Sequence, residues 1–183
     1  MILEERAYIK MKFSKRMDLF GESIFTTLAN MRSERKKQGL EVIDLSIGAP
    51  NIPPTQEVME TIAKEAMKPE NYLYAIKDAV DLQSTVKEWY ERRYGVEIDP
   101  TTEMTSLLGS QDGLAHLALT LVDEGDIVLV QDPCYPIFRD GPLLAGAKVV
   151  TMPLLKENDY LIDFDMIDKK TAQDAKYMIV SYP

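Results

Sequence analysis

The chain has 183 residues, 45% hydrophobic and 28% charged, which is enough for one ordinary globular domain with a sizeable core. Its formal charge of −9, with no basic stripe, argues against nucleic acid or an anionic membrane as partner. A single cysteine, Cys134, excludes an intrachain disulfide, no apolar run approaches the ~18 residues of a membrane span, and the charged start "MILEERAYIKMKF" does not read as a secretory signal, so the expected location is the cytoplasm.

Residues 1–17 are charged and mixed, an extended arm or a short helix. From Glu22 onward, Ile24, Leu28 and Met31 recur at helical spacing, "RSERKKQ" (32–38) reads as solvated last turns, and Gly39 provides a stop. "EVIDLSIG" (41–48) has the alternation of a short strand and runs into "APNIPP", whose three prolines forbid regular structure. A helix is expected from about Pro54 to before Pro69, with Val58, Ile62 and Ala66 on one face. A longer one is expected from Asp78 to Tyr94, with Leu82, Val86, Trp89 and Tyr90 as its stripe, Trp89 as its core anchor and Gly95 past its end.

"EMTSLL" (103–108) reads as the next strand. The helix after it should turn Leu114, Leu117, Ala118 and Leu121 inward. "DIVLV" (126–130) is the near-continuous apolar run of a buried parallel strand. A helix weakened in its middle by Pro142 follows, then strands at 148–152 and 176–183 with a short helix near 163–170 between them. Strands alternating with helices imply an α/β fold with a mostly parallel sheet.

The loop "LLGSQDG" (107–113) carries the most information. A strand that ends in small residues and passes straight into a helix leaves the first-turn amides free, at the positive end of the helix dipole, where an anion is stabilised. Gly109 and Gly113 let the backbone approach a ligand, and the Ser110 hydroxyl adds a donor. The order Gly-Ser-Gln-Asp-Gly matches neither the P-loop nor the dinucleotide fingerprint, so a plain connector with a Ser or Asp cap fits the loop equally well. Its neighbour "LVQDPCYPIF" brings an aromatic, Tyr135, to the carboxyl edge of the same sheet, where ligands of open α/β folds bind. A phosphate-binding helix end beside an aromatic face suits a flat phosphorylated ring such as pyridoxal phosphate.

Four stretches occur in order: "VIDLSIGAPNIPP", "WYERRYGVEIDPTTE", "LLGSQDGLAHLALTLVDEGDIVLVQDPCYPIF" and "MIVSYP". Together, over about residues 20–183, they resemble the amino-terminal half of a class I/II aminotransferase of PLP fold type I, nearest to the aspartate, alanine and LL-diaminopimelate aminotransferase group. The resemblance implies residues 1–40 as an arm and helix of a small domain. It implies residues 41–183 as the first half of a cofactor-binding large domain, truncated at its carboxyl end.

The resemblance also implies that Ser110 and Gln111, with the amides of Gly109 to Gln111, hold the phosphate of pyridoxal 5'-phosphate, and that Tyr135 stacks on its ring. It implies that Gly48 offers backbone near the substrate carboxylate, and that Tyr74, or alternatively Tyr72, reaches the phosphate of the partner subunit in a homodimer. Asp78 stands where the family has glycine, and Gln111 where many relatives have lysine or threonine. The expected reaction passes amino groups between an amino acid and a 2-oxo acid.

The same resemblance places the Schiff-base lysine, the aspartate at the ring nitrogen, a tyrosine at the ring oxygen and the substrate-gripping arginine after Pro183, beyond an Asn-Asn-Pro-Thr continuation. No catalytic residue is therefore assigned here; Lys148, Lys156 and Lys176 read as surface residues, and the chain alone is expected to be inactive. Two alternatives stay open. One is a non-catalytic remnant with weak phosphate or cofactor binding. The other is a fragment of a different fold type I protein: a β-lyase, a decarboxylase, or a regulator's aminotransferase-like domain.

The remaining residues with chemical potential have plainer readings. His116, the only histidine, reads as a packing or surface residue. Cys134 reads as a small buried neighbour of the site, the methionines as core filler and Asp123–Asp126 as a turn, with no metal site. Apolar faces and a sheet edge left without partners predict low solubility or association of the isolated chain.

Overall fold

The computed structural model describes residues 12–182, so most of the expected arm lies outside the described residues. Where that stretch is described, Lys15–Leu19 forms one 3-10 turn, capped by the Ser14 hydroxyl accepting from the Arg16 amide at 3.3 Å. The chain divides into two compact units. One is Ser23–Ser106, and the other runs from Leu107 onward and includes residues 12–22.

The second unit holds the sheet. After three helices of the other unit, α1 (Ile24–Lys37), α2 (Gln56–Ala66) and α3 (Val80–Tyr94), helix α4 (Ser110–Leu121), strand β1 (Ile127–Asp132), helix α5 (Pro136–Ala145), strand β2 (Lys148–Pro153), helix α6 (Lys169–Asp174) and strand β3 (Ala175–Ile179) follow in sequence. The strands lie in the order β2-β1-β3, all parallel, with Ile127 to Asp132 opposite Lys148 to Pro153 on one side and Val128 to Val130 opposite Tyr177 to Ile179 on the other. This is the parallel α/β arrangement expected from the alternation. β1 is central because its apolar run can be buried on both faces. Val128 and Val130 pack with Val122, Ala147 and Phe138 on one face, and Leu129 packs with Met152 and Ile162 on the other.

Helices α4 and α5 touch at Gly141, where a Cβ would sit 3.4 Å from the Leu114 carbonyl oxygen and 3.5 Å from the Ala115 Cα. Ala118, fully buried, completes that seam. Pro142 does not break α5, which continues to Ala145 and ends at Gly146 with φ of +94°. The short helix expected at 163–170 is instead a 3-10 turn at Phe164–Met166 followed by α6, whose start is capped by the Asp168 carboxylate accepting from the Thr171 amide at 3.0 Å. Of the residues expected inward on α4, Ala118 is; Leu117 and Leu121 are about half exposed, because α5 covers only the Leu114–Ala118 side.

The first unit contains α1 (Ile24–Lys37), α2 (Gln56–Ala66), a 3-10 turn at Pro69–Tyr72 and α3 (Val80–Tyr94). The basic stretch at 32–38 does form exposed last turns of α1, and α3 ends at Gly95 in the left-handed region, φ +66°. None of these helices has a buried residue. Trp89 is therefore not a core anchor: it is 41% exposed and packs edge-on against Tyr90 and Tyr94 of its own helix, at centroid distances of 5.3 and 5.2 Å.

Two expected strands are absent among the described residues. At 41–48 no second strand pairs with the segment. The Asp44 carboxylate instead folds it locally, accepting from the Ser46 amide at 3.0 Å and the Ser46 hydroxyl at 2.6 Å, the short-range bonding that competes with a ladder. At 103–108 the Ser106 amide and hydroxyl donate to the Asp78 carboxylate in place of a neighbouring strand, the amide at 3.1 Å.

Candidate functional site

The sheet's carboxyl edge is where β1, β2 and β3 end, at Asp132, Pro153 and Ile179. From the end of β1, the chain passes through Pro133 and Cys134, with the Asp132–Pro133 peptide bond cis, to Tyr135, the residue that precedes α5. Pro136 at the first position of α5 has its fixed φ ready for the helix and no amide to leave unpaired. Tyr135 is 47% exposed, its ring 6.0 Å from that of Phe138 at 65°.

The same edge carries the start of α4. Gly109 occupies the cap position with φ +94°, where a β-carbon is strained, and open space surrounds the place a Cβ would take. No side chain caps this helix. Asp112 turns back instead, accepting from the Leu108 amide at 3.4 Å, while its second oxygen takes His116 Nδ1 at 2.9 Å. Its charge is thus engaged on its own helix. The amides of Ser110 and Gln111 lie in the first turn without an intrahelical acceptor, and neither they nor the Ser110 hydroxyl bond another described residue.

The two pieces meet. Tyr135 Oη donates to Gln111 Oε1 at 3.2 Å, so the aromatic residue expected as a plate and the loop expected as an anion cradle lie side by side. The bond occupies the carbonyl of Gln111 and leaves its NH2 group as a donor. Amides, a hydroxyl and a side-chain NH2 together form a set of donors of the kind an oxyanion needs.

Cys134 is half-buried and packs on the Val128–Val130 cluster, and burial pushes its thiol pKa up, which suits a packing residue and not a nucleophile. Among the described residues the His116 ring pairs only with Asp112 on its own helix, and it is exposed. Asp123–Asp126 is a turn: the Asp126 amide donates to the Asp123 carbonyl at 3.1 Å, with Gly125 at φ +90°. Among the described residues no His, Cys, Asp and Glu cluster could hold a metal.

Tyr74 and Gly48 lie in the first unit. Tyr74 is 91% exposed, and its hydroxyl bonds no described residue. The Tyr72 hydroxyl is already used, donating to the Ala66 carbonyl at the end of α2 at 2.6 Å. Gly48 is exposed with open space about it.

Two further residues carry contacts: Asp78, known from the sequence only as a departure from the family's glycine, clamps Ser106, and Gln131, which no motif marks, is 2% exposed at the end of β1. The signal for Gln131 was available as the one polar residue that extends an apolar run. That for Asp78 was its place in a position the family gives to glycine.

A family model, aminotransferase class I and II, matches residues 41–183. An LL-diaminopimelate aminotransferase from Aquifex aeolicus is 38% identical over 173 residues, covering 94% of this chain and 45% of that protein. The substrate-bound structure of BacF from Bacillus subtilis superposes with a TM-score of 0.81 at 31% identity, over 94% of this chain and 44% of that one. A probable N-succinyldiaminopimelate aminotransferase from Thermus thermophilus gives 0.76 at 31% identity, over 85% and 42%. The chain thus spans less than half the length of the relatives it matches.

Proposed function

The chain belongs to the class I and II aminotransferase family, whose members depend on pyridoxal phosphate, and from that premise we propose that it forms the amino-terminal portion of an enzyme that moves amino groups between an amino acid and a 2-oxo acid. The observation that carries the reading is the 3.2 Å bond between Tyr135 and Gln111, which joins an aromatic face to an uncapped helix start.

The residues present fit the cofactor. The donors at Gly109, Ser110 and Gln111 suit a phosphate dianion, and the open space at Gly109 lets an anion approach the backbone. When bound, pyridoxal phosphate supplies an electron sink for the substrate's α-carbon. In this chain, the amides of Gly109 to Gln111 and the Ser110 hydroxyl hold the phosphate and fix the cofactor's position. Tyr135 covers one ring face and keeps water from it. The Tyr135–Gln111 bond sets the tilt of that plate relative to the phosphate cradle.

Tyr74, with its hydroxyl uncommitted, is the better candidate than Tyr72 to reach the phosphate of a partner subunit, and Gly48 offers backbone to the substrate carboxylate. We place the assembled enzyme in the cytoplasm as a homodimer. The relatives' names make LL-diaminopimelate the first amino donor to test.

The test is cofactor uptake and amino transfer from LL-diaminopimelate to a 2-oxo acid, measured together in the complete protein. Ser110→Ala removes one donor and should weaken cofactor binding about fivefold to tenfold. Full uptake by a Ser110→Ala, Tyr135→Ala double variant would contradict the proposed site.

A further inference from the structure

The Gln131 side chain is 2% exposed at the end of the central strand, where the parallel ladder with β3 runs out. Main-chain pairing between β1 and β3 stops at Val130 and Ile179. Two residues further on, the Ser181 amide donates to Gln131 Oε1 at 2.5 Å, a bond between positions 50 residues apart. A side-chain amide thereby does what the main chain no longer does and holds Val180–Tyr182 against the sheet's carboxyl edge. The backbone of this same residue leads through Asp132, Pro133 and Cys134 to Tyr135. One residue therefore ties together two chain segments that leave the sheet at the proposed cofactor edge.

The other half of that amide is also informative. Gln131 Nε2 is buried and has no hydrogen-bond partner among the described residues. A buried NH2 without an acceptor is costly, and a side chain of similar size with no polar atoms would avoid the cost. Packing alone therefore gives no reason for a glutamine here; the bond to Ser181 does.

We propose that Gln131 is a positioning residue: by accepting from the Ser181 amide it fixes the path of the chain leaving β3 beside the Tyr135 plate, and so sets the geometry of the cofactor edge. The inference rests on the function proposed above for that edge. Its action is through Ser181, and it touches no reacting atom.

Two variants separate this role from bulk packing. Gln131→Met keeps the volume and removes the acceptor, whereas Gln131→Glu keeps an acceptor oxygen facing Ser181. Amide hydrogen exchange on the protein without cofactor is the first readout. The Ser181 amide should exchange about tenfold faster in Gln131→Met and return toward the wild-type rate in Gln131→Glu. Unchanged protection of Ser181 in Gln131→Met would overturn the tether.

The second readout is the absorption maximum and the dissociation constant of pyridoxal phosphate in the complete protein. Gln131→Met should shift the maximum and weaken binding severalfold, with Gln131→Glu restoring both. A tether lost with spectrum and affinity unchanged would overturn the positioning role. A wild-type protein that bound no pyridoxal phosphate would sink the function reading, while the Ser181 exchange pattern would still decide the tether.

Discussion

The phenol of Tyr135 donates to the side-chain carbonyl of Gln111 at 3.2 Å, linking the turn before α5 to the first turn of α4. Gln111 is exposed, and Tyr135 is about half exposed with its ring edge-on to Phe138. Their proximity follows from topology: α4 leads into β1, β1 leads into α5, and the two helices touch at Gly141, so their starts lie at the same end of the sheet.

Removing only the hydroxyl tests the bond apart from the plate. Tyr135→Phe should weaken pyridoxal phosphate binding about twofold to fivefold, as expected of one exposed hydrogen bond, and Tyr135→Ala more than tenfold through loss of stacking. Equilibrium titration of the complete protein by cofactor absorbance checks the order; equal losses in the two variants would assign everything to the hydroxyl.

The glycines divide into two kinds. Gly109 sits at φ +94°, so Gly109→Ala should cost about 1–2 kcal/mol in backbone strain alone and weaken anion binding as well. At Gly141 a Cβ would already stand in ordinary contact with main-chain atoms of α4, at 3.4 and 3.5 Å, so the further methyls of Gly141→Val should overpack the seam and destabilise by about 2 kcal/mol. At Gly113 the added Cβ would meet only the half-exposed Leu107 side chain, which can turn away, so Gly113→Ala should be neutral or stabilising by up to about 1 kcal/mol. Urea unfolding midpoints rank the three.

Asp78 accepts from both the amide and the hydroxyl of Ser106. Asp78→Ala removes both bonds at a half-buried position and should lower stability by about 1–2 kcal/mol. Ser106→Ala, which loses only the hydroxyl bond, should cost less. If the Asp78 variant unfolds at the wild-type urea midpoint, the clamp contributes nothing.

Acid sensitivity has a named source. The Asp44 carboxyl is held down to about 2, from a usual 3.8, by the Ser46 hydroxyl and amide and then by Arg32. Because its folded value lies below its unfolded one, its contribution is complete above the unfolded value and disappears as pH falls from 3.8 through about 2. Glu65 and Asp99 shift the same way, through bonds from Lys68 and Asn71 and from Thr101 and Thr102 respectively. Asp44→Asn should therefore flatten, without abolishing, the loss of stability in that acid window. Lys170, raised by its bond to Asp174, has the opposite sign: its contribution is full below 10.5 and lost as pH rises beyond. Denaturant midpoints as a function of pH measure each slope.

The Cys134 thiol, pushed up by burial, should alkylate more slowly near neutral pH than a free thiol. Iodoacetamide labelling followed by mass is the check, and reaction at the rate of a small-molecule thiol would contradict the packing described for it.

What could be read from the sequence, and what could not, follows from where each element finds its partners. The run Ile127–Val130 was legible as a buried parallel strand because its character does not depend on which neighbours cover it, and Gly39 and Gly95 marked helix ends through their own backbone freedom. The stretches 41–48 and 103–108 have the alternation and apolarity of strands, yet a strand exists only against a partner. Here Asp44 and Asp78 take the amides that a ladder would have used.

The same dependence explains Trp89, Leu117 and Leu121: their helical spacing is real, but the described residues cover them only in part. Of the site, the loop and its aromatic neighbour were legible as separate motifs. The bond between them, the Asp78 clamp and the Gln131 tether were not, since each joins residues 24 or more positions apart.

The most direct measurement is a crystal structure of the complete protein grown with pyridoxal phosphate. The account predicts the phosphate within hydrogen-bond reach of the amides of Gly109 to Gln111 and the Ser110 hydroxyl, with the pyridine ring lying against Tyr135. A cofactor bound elsewhere on the protein, with the start of α4 and the face of Tyr135 both in contact with solvent alone, would contradict it.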